Sequence, residues 1–161
     1  MRAKSFENMV CSLAQAVEQI GDRWAFLILR DLSLGLSRWD ELSESTGISP
    51  TTLSDRLGHL SHHGLIERQP YQQNPPRYRY RLTEKGAALW PVLLGLIQWG
   101  DRWTVSRERG APIVFDDTVS GEPVDIVAVS RDSGRRVAPE EIRASAGPGA
   151  DATARHRLRH L

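Results

Sequence analysis

Residues 47–86 read GISPTTLSDRLGHLSHHGLIERQPYQQNPPRYRYRLTEKG, and two structural signals meet in them. The first half is punctuated as a short helix. Ser49 is a good N-cap, Pro50 suits the first helical position, and Gly64 marks the stop. Leu53, Leu57 and Leu60 recur at i, i+4 and i+7 and predict one buried stripe. The opposite face holds Thr51, Asp55, Gly58 and His62, flanked by Thr52, Ser54 and His59. In the second half, LIERQPY and RYRYRL alternate as two strands around QQNPP. Alternation sets Arg77, Arg79 and Arg81 on one strand face and Tyr78, Tyr80 and Leu82 on the other.

The pattern upstream is helical. CSLAQAVEQI (11–20) places apolar residues at 13, 14, 17 and 20, and Gly21 breaks the run. Asp22 is placed to cap a second helix, RWAFLILRDLSL, ending at Gly35. That helix is apolar nearly all round, which predicts the central buried position. RWDELSEST forms a third helix, with Ser37 as N-cap, Asp40 and Glu41 near its positive end, and Gly47 as stop. Trp39 and Leu42 are its inward residues. Downstream, Thr83 caps a long fifth helix from about Glu84 to about Arg107, broadly apolar through Leu89, Trp90, Leu93, Leu96, Ile97, Gly100 and Trp103. After Gly110 the texture changes. APIVF and VDIVAV read as short strands, with SRDSGRR as a hairpin turn at Asp132, Ser133 and Gly134. From about Ser145, Gly, Ala, Pro and basic residues predict a mostly disordered tail. The expected organisation is 1–107 as the main domain, 108–144 as a small β appendage and 145–161 as a basic tail.

Composition narrows the function by exclusion. Lys and Arg total 21 against 20 Asp and Glu, so net charge points to no partner and only its distribution can. Between 50 and 81 five arginines (56, 68, 77, 79, 81) face only Asp55 and Glu67, a local net charge of +3. Cys11 is the one cysteine, which excludes an intramolecular disulfide and a zinc site of several thiolates. No apolar run has signal-peptide or membrane-spanning length, so a soluble cytoplasmic protein is expected. His59 and His63 stand at i, i+4, a spacing that suits a metal, yet no third ligand is evident nearby. Solvated helix-end histidines are the simpler reading, and no metal or cofactor is expected. There is no phosphate loop, no dinucleotide fingerprint and no nucleophile with an obvious base, which argues against an enzyme.

The third helix, a tight TGIS turn and the fourth helix have the order and length of a helix-turn-helix, and the basic hairpin is its wing. The fold class expected is mostly α with a β-wing: a winged helix-turn-helix with a long C-terminal dimerisation helix and a small β-rich extension. The candidate DNA-contacting residues are Ser49, Thr51, Thr52, Ser54, Asp55, Arg56 and His59 on the recognition helix, with Arg77 and Arg79 on the wing. A winged-helix module used for protein assembly without DNA is the alternative.

The segments CSLAQAVEQIGDRWAFLILRDL, RWDELSESTGISPTTLSDRLGHLSHHGLIER and PPRYRYRLTEKGAAL, across about residues 11–105, together resemble the HxlR family of winged-helix transcriptional regulators, relatives of the MarR group. The resemblance implies a DNA-binding homodimer on a palindromic operator, with the first and last helices at the interface, working as a transcriptional switch. A repressor is expected rather than an activator. Cys11 stands where this family often carries a cysteine near the start of its first helix, which makes it a candidate redox sensor. A small packing residue is the alternative for Cys11. Trp24, Trp90, Trp99 and Trp103 are candidates for a small-effector pocket, against the plainer reading of dimer core.

Overall fold

A computed structural model describes residues 5–104 and 106–159. The chain forms two compact units, one of residues 5–90 with 146–159 and one of residues 91–145. In the first unit, α1 (Ser12–Ile20), α2 (Arg23–Ser33), α3 (Trp39–Thr46) and α4 (Pro50–His62) precede an antiparallel hairpin of β1 (Ile66–Gln72) and β2 (Arg77–Leu82). A short α5 (Glu84–Ala87) follows, and α8 (Ala152–Leu158) belongs to the same unit.

The punctuation read from sequence explains these boundaries. Asp22 Oδ1 accepts from the Trp24 and Ala25 N–H groups at 3.0 and 3.2 Å and starts α2. Glu41 accepts from the Ser37 and Arg38 N–H groups, both at 2.9 Å, so α3 is capped from inside and Arg38, not Ser37, is its N-cap residue. Gly47 adopts φ +65° and turns the chain towards α4, where Ser49 Oγ accepts from the Thr52 N–H. One core results. Ala25, Ile28 and Leu29 of α2, Leu42 of α3 and the Leu53–Leu57–Leu60 stripe of α4 are buried with Leu65 and Ile66. Asp31 is buried among them, and one of its oxygens is paired at 2.6 Å with Arg30. The hairpin pairs Ile66 with Leu82 and Arg68 with Tyr80, and a bulge interrupts the register between Pro70 and Gln72. A single bridge joins Arg38 to Arg79 beside it.

The fifth helix differs from expectation. It divides into α5, α6 (Trp90–Trp103) and α7 (Ser106–Arg109). Pro91 accounts for the first break: it has no N–H to give the Ala87 carbonyl, and its ring disfavours helix just before it. The second unit carries α6, on which Leu93 and Leu94 are buried. Gln98 holds the following segment from both ends of its amide. Its Nε2 donates to the Val124 carbonyl at 2.7 Å, and its Oε1 accepts from the Ile126 N–H at 2.9 Å.

The expected strands of the appendage do not form as regular strands among the described residues. Two tight reversals stand there, each with one bridge, Asp116 to Pro123 and Val129 to Arg136. Turn residues recur so closely that each arm is too short for a ladder, and Pro112 and Pro123 have no N–H to give. The second reversal turns through Arg131–Ser133 with Gly134 at φ +65°. The disordered tail expected from 145 onward is also corrected. Asp151 Oδ1 accepts from the Ala154 N–H at 2.7 Å and starts α8. No helix among the described residues is long and apolar enough to cross a membrane.

Among the glycines of the first unit, Gly86 is the most closely packed. A Cβ there would overlap the Leu65 carbonyl oxygen, a backbone atom that cannot swing aside. Gly86→Ala should therefore lower unfolding free energy by about 2 kcal/mol or more, in the range of core overpacking. Urea denaturation of the two proteins measures this, and an unchanged midpoint would show that α5 and Leu65 separate freely.

Candidate nucleic-acid interface

The leucine stripe of α4 fixes which of its residues face outward. Thr51, Ser54 and Asp55 are exposed on the N-terminal half, and Thr52 is half-buried. The Ser49 hydroxyl lies 2.9 Å from the Thr52 hydroxyl and also caps the helix, so this pair is partly committed within the chain. Short hydroxyls and a carboxylate at the start of an exposed helix are the groups that read base edges in a major groove.

Two residues expected on that face are held inward. Arg56 Nε lies 2.8 Å from Asp22 Oδ2. His59 Nε2 lies 3.1 Å from the Gln19 carbonyl oxygen, and its ring packs against Gly21. Both brace α4 against the α1–α2 turn. Asp22 is the residue that sequence reading undervalued: its capping role was legible, but nothing local pairs its second oxygen with a residue so far along the chain.

His59, His62 and His63 cluster with ring centroids 4.5 and 5.1 Å apart. Burial lowers the His63 pKa first, and the neighbouring His59 and His62 add to the lowering. Among the described residues no group of three or more His, Cys, Asp or Glu is placed to hold a metal ion.

On the wing, Arg77 and Arg81 are exposed and Arg79 is half-buried. Among the described residues no carboxylate lies within ion-pair distance of Arg68, Arg77, Arg79 or Arg81. A row of unneutralised guanidinium groups is the electrostatic requirement for phosphate contact.

Cys11 is half-buried at the N-cap position of α1. The Ala14 N–H lowers its thiol pKa most. Burial opposes this, and the Leu13 N–H and the Arg157 charge on α8 add to the lowering. An open cleft of about 720 Å³ runs beside it, lined by Met9, Val10, Ile20, Leu65 and Leu89. Of the four tryptophans named as a candidate effector pocket, Trp99 and Trp103 on α6 are 60% and 57% exposed. Trp24 is half-buried, with the Arg23 guanidinium 5.4 Å from its ring centre, and Trp90 is half-buried at the start of α6.

A recognition helix set on a three-helix core with a basic hairpin beside it defines the winged helix-turn-helix class of DNA-binding proteins. The model of the HxlR-like helix-turn-helix matches residues 19–108. The chain belongs to this family and is a transcriptional regulator with a helix-turn-helix domain. It is 37% identical over 138 residues to an uncharacterized HTH-type transcriptional regulator of Mycobacterium tuberculosis, covering 86% of this chain and 87% of that one. It is similar to the crystal structure of PA1607, described as a candidate transcription factor, with a TM-score of 0.78 and 33% identity. That likeness covers 89% of this chain and all of the other, so it extends past residues 19–108. The oxidized form of the redox regulator HypR is similar over 56% of this chain and 95% of its own, with a TM-score of 0.53 and 29% identity.

Asp22→Ala should cost about 1–2 kcal/mol of stability, mostly through the lost cap, since a partly exposed ion pair contributes under about 1 kcal/mol. It should also loosen α4 and weaken binding to DNA, although Asp22 is not on the DNA-facing side. Parallel denaturation and gel-shift titrations test both, and full DNA affinity in the destabilised variant would show that α4 needs no brace.

Proposed function

We propose that the chain is a cytoplasmic, sequence-specific DNA-binding repressor that acts as a homodimer on a near-palindromic operator, and that it is not an enzyme. The observation that carries this reading is the exposed polar start of α4 beside a wing whose arginines have no carboxylate partner. Thr51, Thr52, Ser54 and Asp55 read bases, with Ser49 holding their turn. Arg77 takes a phosphate or the minor groove at the wing tip, and Arg79 supports it. Arg56 and His59 act by holding α4. Occupying a promoter requires no surface beyond this face, which favours repression.

Dimerisation draws its support from α6. Val92, Leu96, Trp99 and Trp103 are all more than half exposed, and their spacing of four, three and four makes one apolar seam. Leu13 on α1 is 73% exposed and offers a second apolar contact. A two-fold dimer reads half-sites about 34–36 Å apart or a multiple of that.

Selection of genomic fragments on the full-length protein supplies the operator, and three variants then test the reading. Thr51→Ala should relax sequence preference more than non-specific affinity. Arg77→Ala should weaken all sequences alike and flatten the slope of log affinity against log salt by about one unit. Leu96→Glu should abolish dimer sedimentation and operator binding together. DNA affinity indifferent to salt would instead favour a winged-helix module for protein assembly.

A second reading concerns the signal. The lowered thiol pKa of Cys11 and the cleft beside it favour a redox or electrophile input, and the likeness to HypR is consistent with it. With no second cysteine in the chain, the oxidised form is a bond between subunits or a mixed disulfide. Iodoacetamide alkylation of Cys11 should reach half its limiting rate below the pH of about 8.5 typical of a free thiol. Arg157→Ala should move that midpoint upward. If Cys11→Ser releases DNA under peroxide or diamide as the parent does, the thiol is not the sensor.

A further inference from the structure

A cleft of about 460 Å³ lies on the α3 side of the wing, in the size range of small-molecule sites. Its walls are aromatic: Trp39 from α3, Tyr71 from β1, and Tyr78 and Tyr80 from β2. The bulge between Pro70 and Gln72 explains why Tyr71 belongs here. In an unbroken strand Tyr71 would point to the face opposite Arg68, but a bulge re-aims one side chain.

Arg68 and Arg77 reach the same cleft, and neither has a carboxylate within ion-pair distance among the described residues. The Arg68 guanidinium stands 3.3 Å from the centre of the Tyr78 ring. One carboxylate, Asp40, lines the cleft, and it already lies 3.6 Å from Arg38. The cleft therefore carries positive charge in excess. Trp39, Tyr78 and Tyr80 are half-buried in the floor of the cleft, whereas Arg68 and Arg77 are exposed at its mouth. The planar fork of arginine matches a carboxylate edge and makes charge-assisted hydrogen bonds to it.

We propose that this cleft binds a planar aromatic carboxylate, its ring stacked among Trp39, Tyr71 and Tyr78 and its carboxylate held by Arg68 and Arg77. Occupancy takes Arg77 from DNA, so the ligand releases the operator. The release step rests on the DNA-binding reading above; the binding step does not.

Calorimetric titration of the full chain with 2-naphthoate tests the site, with cyclohexanecarboxylate and 2-naphthol as probes lacking the flat ring and the carboxylate respectively. Naphthoate should bind at least tenfold more tightly than either. Arg68→Gln and Tyr71→Ala should each weaken it tenfold or more while retaining the parent melting temperature. Arg68→Lys, which keeps charge without the fork, should fall between parent and Arg68→Gln. Equal affinity for cyclohexanecarboxylate, or unchanged affinity in both Arg68→Gln and Tyr71→Ala, overturns the site. A gel shift on the operator then reads release. Saturating naphthoate should weaken the parent's DNA affinity at least tenfold and leave Tyr71→Ala little changed. Naphthoate bound with DNA fully retained overturns the release step alone, and a parent that binds naphthoate but no DNA overturns the DNA-binding reading while the site stands.

Discussion

One carboxylate sets the position of the recognition helix. Asp22 spends one oxygen on the first N–H groups of α2 and the other on Arg56 of α4. The most buried helix and the most exposed functional helix are thereby tied at a shared point. His59 adds a second tie to the same turn through the Gln19 carbonyl, with Gly21 giving its ring room. Leucines alone hold α4 against the core without fixing its rotation, because apolar contact is non-directional. The His59 hydrogen bond, with the Arg56–Asp22 ion pair beside it, supplies on one flank what the stripe does not.

The wing works under a different constraint. Its arginines leave their charge unneutralised, and the fold accepts their mutual repulsion at a solvent-exposed edge, where screening keeps the cost small. The Arg68 guanidinium lies over the Tyr78 ring, which holds that side chain on an aromatic surface without a carboxylate partner. The same arrangement leaves a charged, aromatic hollow between wing and core, so one hairpin offers two chemically distinct faces.

Local signals made much of this legible. The caps at Asp22, Ser49 and Thr83, the stops at Gly47 and Gly64, and the Leu53–Leu57–Leu60 stripe all act within one or two turns of helix, and each stands where its residue type predicts. The break before α6 was equally local, but the apolar run through Leu89 and Trp90 masked the effect of Pro91. What the chain could not show were pairings between distant residues. Arg56 and His59 carry the chemistry of DNA contact, and only the approach of the α1–α2 turn draws them inward. The appendage and tail were hard to read for another reason. Single bridges and a seven-residue helix leave too short a periodic pattern to stand out from turn-rich sequence.

The C-terminal helix α8 belongs to the same compact unit as residues 5–90, although more than fifty residues intervene. That unit is therefore discontinuous along the chain. Cys11 near the start of α1 and Arg157 on α8 are thereby neighbours across almost the whole length of the described sequence, and the arginine charge adds to the lowering of the thiol pKa. A substitution on α8 can therefore change the acidity of a thiol that lies about 140 residues away in sequence.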